Sequence, residues 1–347
     1  MPNMDQSRYQ SRIILWLSIV CMLIITIVMI GGITRLTHSG LSMVDWRPIM
    51  GILPPLSEAD WQHVFYNYQQ FPEYQHVNKG MSLSAFKWIF FWEYAHRMLG
   101  RLIGLAIIIP LGLFWRLGWL TPYLIQRGIV MAILVSVQGV MGWLMVKSGL
   151  VDVPYVSHIR LMFHLCLAFL LFIYVWWTLL QIARPKCLPM SNTIQKWILG
   201  LCGLVVVQII YGAFVAGLKA GHIMNTFPKM GTHWIPVGVM EMLPIWRNFI
   251  DNPLFVQWMH RLLAWGLLVG VVVISMILFQ QQLSWFQRRS VFFLLGTMSL
   301  QFILGVLTLI YHVPLHIAVA HQIMALLVLT AMTTVYYGTI QHGGLRG

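Results

Sequence analysis

Four histidines lie inside strongly apolar segments of the sequence, where an ionisable side chain is costly and usually serves a function. In each case the fourth residue after the histidine is small, and on a helix that residue lies one turn away on the same face. A flat macrocycle needs such clearance when a helical histidine ligates its iron, so the pattern favours haem sites with one or two axial histidines. The pairs are His96 with Gly100, His164 with Ala168, His260 with Ala264, and His321 with Ala325.

A structural role and zinc binding each account less well for these histidines. A single histidine in a membrane helix often forms a hydrogen bond to a neighbouring helix, but four histidines with the same small-residue spacing favour ligation. Zinc fits poorly because no cysteine, aspartate or third histidine shares these faces.

Glu93 is the acidic residue that the sequence places inside an apolar segment, three residues before His96 and four before Arg97. The matching place in the second half of the chain is Gln257. A carboxylate can stabilise a developing cation or move a proton, whereas an amide can do neither. The first half is therefore predicted to be reactive, and the second to hold a redox cofactor. A plain ion pair of Glu93 with Arg97 or Arg101 is the alternative.

Three arginines, Arg97, Arg101 and Arg261, lie near the predicted outer ends of the helices that carry histidines. Haem propionates would lie at that level, and arginine suits carboxylates because it can bind them through two parallel hydrogen bonds. Extension of these side chains to the membrane interface is the alternative.

The elements that position these residues are eight apolar segments of about 20 residues, the length that crosses a bilayer as a helix. The chain is 59% hydrophobic and only 9% charged, against about 25% charged residues in soluble domains. The predicted fold is an all-α polytopic membrane protein. The segments lie near 13–33, 89–114, 122–146, 158–181, 194–217, 254–279, 290–311 and 314–338.

An internal repeat divides the eight helices into two parallel four-helix bundles, because both halves start on the same side of the membrane. The predicted domains are 1–185, with the substrate site, and 186–347, with the cofactor site. The matching elements are Gly31–Gly40 with Gly212–Gly221, His96-Arg97 with His260-Arg261, Gln138-x-x-x-Gly142 with Gln301-x-x-x-Gly305, and His164 with His321.

The formal charge of +13 lies mostly in short loops, which indicates membrane topology rather than nucleic-acid binding. The bias of basic residues predicts that both termini are cytoplasmic. The expected location of the chain is the inner (plasma) membrane. Two long loops, roughly 34–88 and 218–253, would then be on the outer side. A short amphipathic helix is expected around Glu58–Tyr68 in the first loop.

The motifs of the first loop resemble the haem A synthase family, in the branch shared by proteobacteria and mitochondria. The resemblance covers nearly the whole chain. Another branch carries a cysteine pair in this loop, and its absence here excludes thiol-based electron entry by that route. The motifs are Gly31–Met43, Trp46-Arg47-Pro48, Pro54-Pro55, Phe71-Pro72-Glu73, Phe86-Lys87 and Glu93-x-x-His96-Arg97.

The resemblance implies oxidation of the C8 methyl group of haem O to a formyl group, through a hydroxymethyl intermediate. It implies that His96 and His164 face the substrate haem, and that His260 and His321 ligate a haem b cofactor. Glu93 matches the acidic residue proposed in the family to stabilise a carbocation at the methyl carbon.

Candidate partners are haem O synthase, an electron acceptor, membrane lipid and a second copy of the chain. Two functions from different classes stay open at this point. One is a di-haem electron carrier of the cytochrome b type, although histidines at similar depth argue against transfer across the membrane. The second is a haem carrier or assembly factor without catalysis, for which Glu93 would be dispensable.

Overall fold

A computed structural model describes residues 4–44, 53–149 and 156–340. Eight of its helices are long and apolar enough to cross a membrane, which confirms the predicted polytopic all-α class. The motif at Trp46–Pro48 lies outside the described residues. The α-helices are α1 Met4–Leu36, α2 Glu58–Gln69, α3 Pro72–His76, α4 Leu83–Arg116, α5 Pro122–Gly149, α6 His158–Ala183, α7 Asn192–Gly217, α8 Pro253–Phe279, α9 Trp285–Ile310 and α10 Leu315–Thr339.

Three membrane helices begin earlier than the apolar segments predict: α1 by about two and a half turns, and α4 and α9 by about one and a half turns. Helix α4 begins at Leu83 because the side chain of Ser82 caps it, accepting a hydrogen bond from the Ala85 amide. Helix α9 begins at Trp285, where Ser284 and Gln287 form a reciprocal capping box. Capping side chains satisfy amides of the first turn that have no partner within the helix, so a polar first turn can precede the apolar part.

The chain forms two compact units. One is centred on Ile19–Leu171, and the other combines Gln10–Ser18 with the chain from Phe172 onward. The first unit contains His96 and His164, and the second contains the remaining two predicted ligands. The functional division at residue 185 stays a prediction.

In the first unit, the loop helices α2 and α3 pack on the start of α4 through an aromatic cluster. The expected amphipathic helix is present as α2. Tyr68, Phe86 and Phe90 are buried, and the ring centroids of Tyr68 and Phe86 are 5.1 Å apart. Such pairs contribute about 0.5–1.5 kcal/mol beyond the burial of their area. The cluster fixes the long loop on the helix that carries Glu93, three residues after Phe90.

In the second unit, the buried side chain of Gln287 holds the linker that follows α6. Its amide nitrogen donates to the carbonyls of Leu188 and Gly338, both at 2.7 Å. Its oxygen accepts from the Leu188 amide at 3.1 Å. Since these main-chain groups are satisfied by one side chain, the linker is an ordered part of this unit.

Candidate active site and metal centres

The four predicted histidines form two pairs, one in each unit. The ring centroids of His96 and His164 are 6.5 Å apart, and those of His260 and His321 are 6.4 Å apart. Two metal–nitrogen bonds of about 2 Å, plus about 1 Å from each nitrogen to its ring centre, place two axial imidazoles about 6 Å apart. Both pairs therefore have the separation that one metal ion between two axial histidines requires.

Each of these imidazoles faces a glycine on a neighbouring helix. A Cβ atom added at Gly31 would lie 2.9 Å from Cε1 of His96, and one at Gly305 would lie 2.9 Å from Cε1 of His321. A Cβ atom added at Gly142 would lie 3.2 Å from Cε1 of His164, and one added at Gly212 would lie 3.2 Å from Cε1 of His260. Any larger residue would displace the ring, so glycine sets the position of all four imidazoles.

Two glutamines lie beside the histidines. The amide nitrogen of Gln138 donates to the carbonyl of His164 at 3.1 Å and lies 3.2 Å from ring Nδ1. That of Gln208 donates to the carbonyl of His260 at 3.0 Å and lies 3.4 Å from ring Nε2. The predicted repeat contained Gln138 but gave it no role. The same Gln-x-x-x-Gly spacing occurs at Gln208 and Gly212, and it could have indicated that both glutamines lie beside a histidine.

Several buried atoms at the pairs have no hydrogen-bond partner among the described residues. They include Nδ1 of His96, His260 and His321, and Oε1 of Gln138, Gln208 and Gln301. Such atoms are rare in folded proteins and concentrate where a ligand completes the site. A metal-ligating histidine usually donates its second ring N–H to a nearby acceptor. Histidine ring nitrogens and glutamine Oε1 atoms without partners are present around both pairs.

The donor set fits a porphyrin better than a metal ion bound by protein alone. Within 4–44, 53–149 and 156–340, no group of three or more His, Cys, Asp or Glu side chains is placed to hold a metal ion. A macrocycle brings four nitrogens of its own, so two axial histidines complete six-coordinate iron. The residues present therefore fit a haem at each pair.

Glu93 is 3% exposed and binds both its neighbour and the first loop. Its Oε1 pairs with Nη2 of Arg97 at 2.5 Å. Its Oε2 accepts from Oγ of Ser42 at 2.7 Å and from the amide of Met43 at 2.8 Å. Arg97 also donates to the carbonyl of Met43 at 2.8 Å. The ion pair considered from the sequence is present, within a larger clamp on the loop.

Gln257 and Arg261 form a version of this clamp without a carboxylate in the second unit. The amide of Gln257 donates to the carbonyl of Met224 at 3.0 Å, and Nη2 of Arg261 donates to the same oxygen at 2.5 Å. Met224 is twelve residues after Gly212, as Met43 is twelve residues after Gly31. Both arginines thus bind main-chain carbonyls of the long loops.

The expected contacts between arginines and haem propionates stay a prediction. In addition to the loop contacts of Arg97 and Arg261, Nη1 of Arg101 lies 3.6 Å from the sulfur of Met98.

A second buried carboxyl group, Glu73 in α3, lies outside the membrane-spanning helices. It is 4% exposed and accepts from the hydroxyl of Tyr68 at 3.1 Å, which accepts in turn from the amide of Asn78 at 2.8 Å. Burial, then the negative charge of Glu93, raises the pKa of Glu73 to about 8. The sequence offered Glu73 only as part of a motif, because nothing in its spacing shows that it is buried.

The fold and the site define a class of protein: a polytopic helical membrane protein with two half-buried histidine pairs that fit haem iron. The chain belongs to the family described as cytochrome oxidase assembly protein (COX15-CtaA), whose sequence profile matches residues 14–333.

Similar proteins cover nearly the whole length of the chain. It is 44% identical over 331 residues to the heme A synthase of Nitrosospira multiformis, covering 93% of this chain and 92% of that one. It is 41% identical over 338 residues to the heme A synthase of Nitrosomonas eutropha, covering 95% of both. It is 41% identical over 314 residues to that of Brucella anthropi, covering 90% of this chain and 88% of that one.

Proposed function

We propose that this chain is a haem A synthase, which oxidises the C8 methyl group of haem O to a formyl group through a hydroxymethyl intermediate. One observation carries the proposal: two histidine pairs have almost the same separation, but only the first has a buried carboxylate three residues before a ligand. The resemblance of the chain to heme A synthases supports the same function.

In this proposal the first pair binds the substrate and the second pair binds haem b. His96 and His164 hold the iron of haem O, which orients its methyl group. His260 and His321 hold haem b. When bound, haem b supplies one-electron redox chemistry. The glycines opposite the imidazoles let each ring lie close against the neighbouring helix, and in this proposal the flat macrocycle lies between the two rings of a pair.

Glu93 supplies negative charge where positive charge develops. Conversion of the methyl group to hydroxymethyl takes an oxygen atom from water and releases two protons and two electrons, which leave to an acceptor. A second such step gives a gem-diol, which loses water to form the formyl group. A pre-oriented carboxylate stabilises the cation-like methyl carbon before water adds. Ser42, Met43 and Arg97 hold that carboxylate in place by donating to it.

The proposal includes a location and partners. The chain lies in the inner membrane with both termini cytoplasmic, because basic residues concentrate in the short loops of that side. The two long loops then cover the sites from the outer side. Haem O synthase would supply the substrate, and an electron acceptor and a second copy of the chain are further partners.

The test is to purify the protein from cells that make haem O and to identify the extracted haems by mass. We expect haem b together with haem O, its hydroxymethyl form or haem A. Haem b as the sole extracted haem would contradict the proposal. Two haems with reversible, distinct potentials but no modified product would favour the di-haem electron carrier instead.

A further inference from the structure

Residues 234–249, between α7 and α8, form an exposed apolar segment of the second unit. Of these sixteen residues, only Glu241 and Arg247 are charged. Eight large apolar side chains of the segment are exposed, and the most exposed of them is Leu243, at 82%. Apolar surface of this kind marks a contact with a membrane or with another protein. The eight residues are Trp234, Ile235, Val237, Met240, Leu243, Ile245, Trp246 and Phe249.

The segment begins level with the second turn of α8. The indole N–H of Trp258 donates to the carbonyl of Trp234 at 3.1 Å. Trp258 is five residues after Pro253, where the helix begins, which is about 7.5 Å along its axis. The 27 residues of α8 extend over about 40 Å. The hydrocarbon core of a bilayer is about 30 Å thick, and the headgroup layers extend it to about 40–45 Å. The first turns of α8 therefore lie in a headgroup layer, and the segment lies beside them.

Trp258 lies on an exposed apolar face of α8, a helix long and apolar enough to cross the membrane. Leu262, Trp265 and Val269 follow it at the spacing of one helix face, and all three are between 41% and 58% exposed. Lipid tails are as apolar as leucine, so exposed apolar side chains of a membrane-crossing helix face them. Since Trp258 binds the carbonyl of Trp234, the segment continues the lipid-facing surface of α8 beyond the end of the helix.

Two buried asparagines bind main-chain groups of the segment from within. Asn248 donates to the carbonyls of Met242 and Ile245 at 2.8 and 2.9 Å, and its own oxygen accepts from the Met242 amide at 3.0 Å. Asn252, which also caps α8, donates to the carbonyl of Gly238 at 2.8 Å. Main-chain groups near lipid find little water to bind, so a non-helical segment there needs such internal partners. The fold thus turns these polar groups inward and leaves the apolar side chains outward.

Cationic and aromatic side chains border the apolar surface. Nζ of Lys229 lies 5.8 Å from the centre of the Trp234 ring, and Nε of Arg247 pairs with Oδ2 of Asp251 at 3.0 Å. Tryptophan concentrates where a membrane meets water, and long basic side chains reach the headgroups from an apolar base. The composition of the segment and its border therefore suits the headgroup layer.

We propose that residues 234–249 insert their apolar side chains into the headgroup layer of the bilayer beside the start of α8. A lipid surface is the occupant that the observations favour, because the segment is level with that layer, continues the lipid-facing side of the helix and is bordered by cations. Contact with lipid holds the second long loop at the membrane. The inference goes beyond the proposed function and does not depend on haem chemistry.

Nitroxide labels measure the depth of the segment in a bilayer. The full-length protein, with its native cysteines replaced by alanine, receives one label at Leu243→Cys and is placed in nanodiscs of phosphatidylcholine and phosphatidylglycerol. Power saturation compares collisions with oxygen, which concentrates in lipid, and with a nickel chelate, which stays in water. Val269→Cys, on the exposed face of α8, is the lipid control, and Gln62→Cys, exposed on α2, is the water control. The native cysteines are Cys21, Cys166, Cys187 and Cys202.

We expect the label at position 243 to lose access to nickel and to resemble the label at position 269, because its side chain lies among lipids. Nickel access equal to that of the water control would overturn the inference. Spectral broadening that disappears when unlabelled protein is added would also overturn it, because a second copy would then cover the segment. Val237→Cys, at a native side chain that is 75% exposed, gives the same test if circular dichroism shows that the first variant does not fold. Failure of the proposed function would appear separately, in the haems extracted from cells.

Discussion

The two units attach a long loop to a histidine-bearing helix in the same way, but with different chemistry. In the first unit a buried ion pair, Glu93 with Arg97, binds Ser42 and Met43. In the second, an amide and an arginine bind the carbonyl of Met224.

The hydroxyl of Ser42 is part of the same difference. Ser42 lies eleven residues after Gly31, and the equivalent position after Gly212 is Ile223. A hydroxyl donor is thus present where there is a carboxylate to accept its hydrogen bond, and absent where there is an amide.

This difference indicates what the carboxylate is for. Burial of a carboxylate costs free energy that only good partners offset. The second unit holds its loop with Gln257 and needs no negative charge. Attachment of the loop alone therefore does not require Glu93, and its charge is better explained by the reaction that we propose.

Replacement of Glu93 by glutamine makes the first clamp like the second and should have the largest effect. We expect formation of haem A to fall by about 10²–10³-fold, the usual loss when a stabilising group at a developing charge is removed. The haem b spectrum should remain. Mass analysis of extracted haems measures both. The matched variant Gln257→Glu should add no activity, and an active Glu93→Gln protein would contradict the role of the charge.

The glycines can be compared by adding one methyl group. Gly305→Ala would place Cβ 2.9 Å from Cε1 of His321, so we expect haem b affinity to fall by about 10–100-fold. Gly296→Ala, on the same helix, meets no atom within 4 Å and should bind haem b normally. Haem titration followed by absorbance gives both affinities. Equal affinities would show that the ring tolerates the methyl group.

Loss of the Ser42 hydroxyl should have a smaller effect than loss of the carboxylate. A hydrogen bond to a charged group is worth about 1.5–3 kcal/mol, so Ser42→Ala should lower the turnover rate by about 10–100-fold. KM for haem O should change little, because the hydroxyl binds Glu93 and not substrate. Ser42→Thr keeps the hydroxyl and should restore most of the rate. A change in KM alone would indicate a purely structural role.

The smallest effect concerns the first loop and pH. The pKa of Glu73 is raised from 4.5 to about 8 in the folded chain, so the folded state binds this proton more tightly than the unfolded state. The contribution to stability is full below about pH 4.5 and is lost as pH rises through about 8. Glu73→Gln should flatten this dependence of Tm between about pH 5 and 9. An unchanged slope would show that Glu73 ionises normally.

The amino-acid pattern was sufficient to predict the helices and which histidines pair. Apolar length predicted all eight spans, and matched spacing identified His96 and the three further candidate ligands. The same pattern placed the starts of α1, α4 and α9 too late. For α4 and α9 the reason is that the capping residues Ser82 and Ser284 precede the apolar segments.

Contacts between helices and loops could not be predicted in this way. Spacing along one helix does not show what faces it, so Gly31 and Gln208 received no role at the histidines. Ser42 is 51 residues from Glu93 along the chain, and no local pattern connects them. Burial of Glu73 depends on α2 packing over α4, which composition cannot reveal.

The repeated contact between a glycine and a histidine edge also bears on the ancestry of the chain. A half-length ancestor with this contact would have carried one unspecialised pocket. Joining two gene copies would free each pocket to diverge. Under the proposed function, exchanges at two positions, Ser42 for Ile223 and Glu93 for Gln257, would distinguish the pocket that binds substrate from the pocket that binds cofactor. A difference in function between the two pockets could therefore arise through very few substitutions.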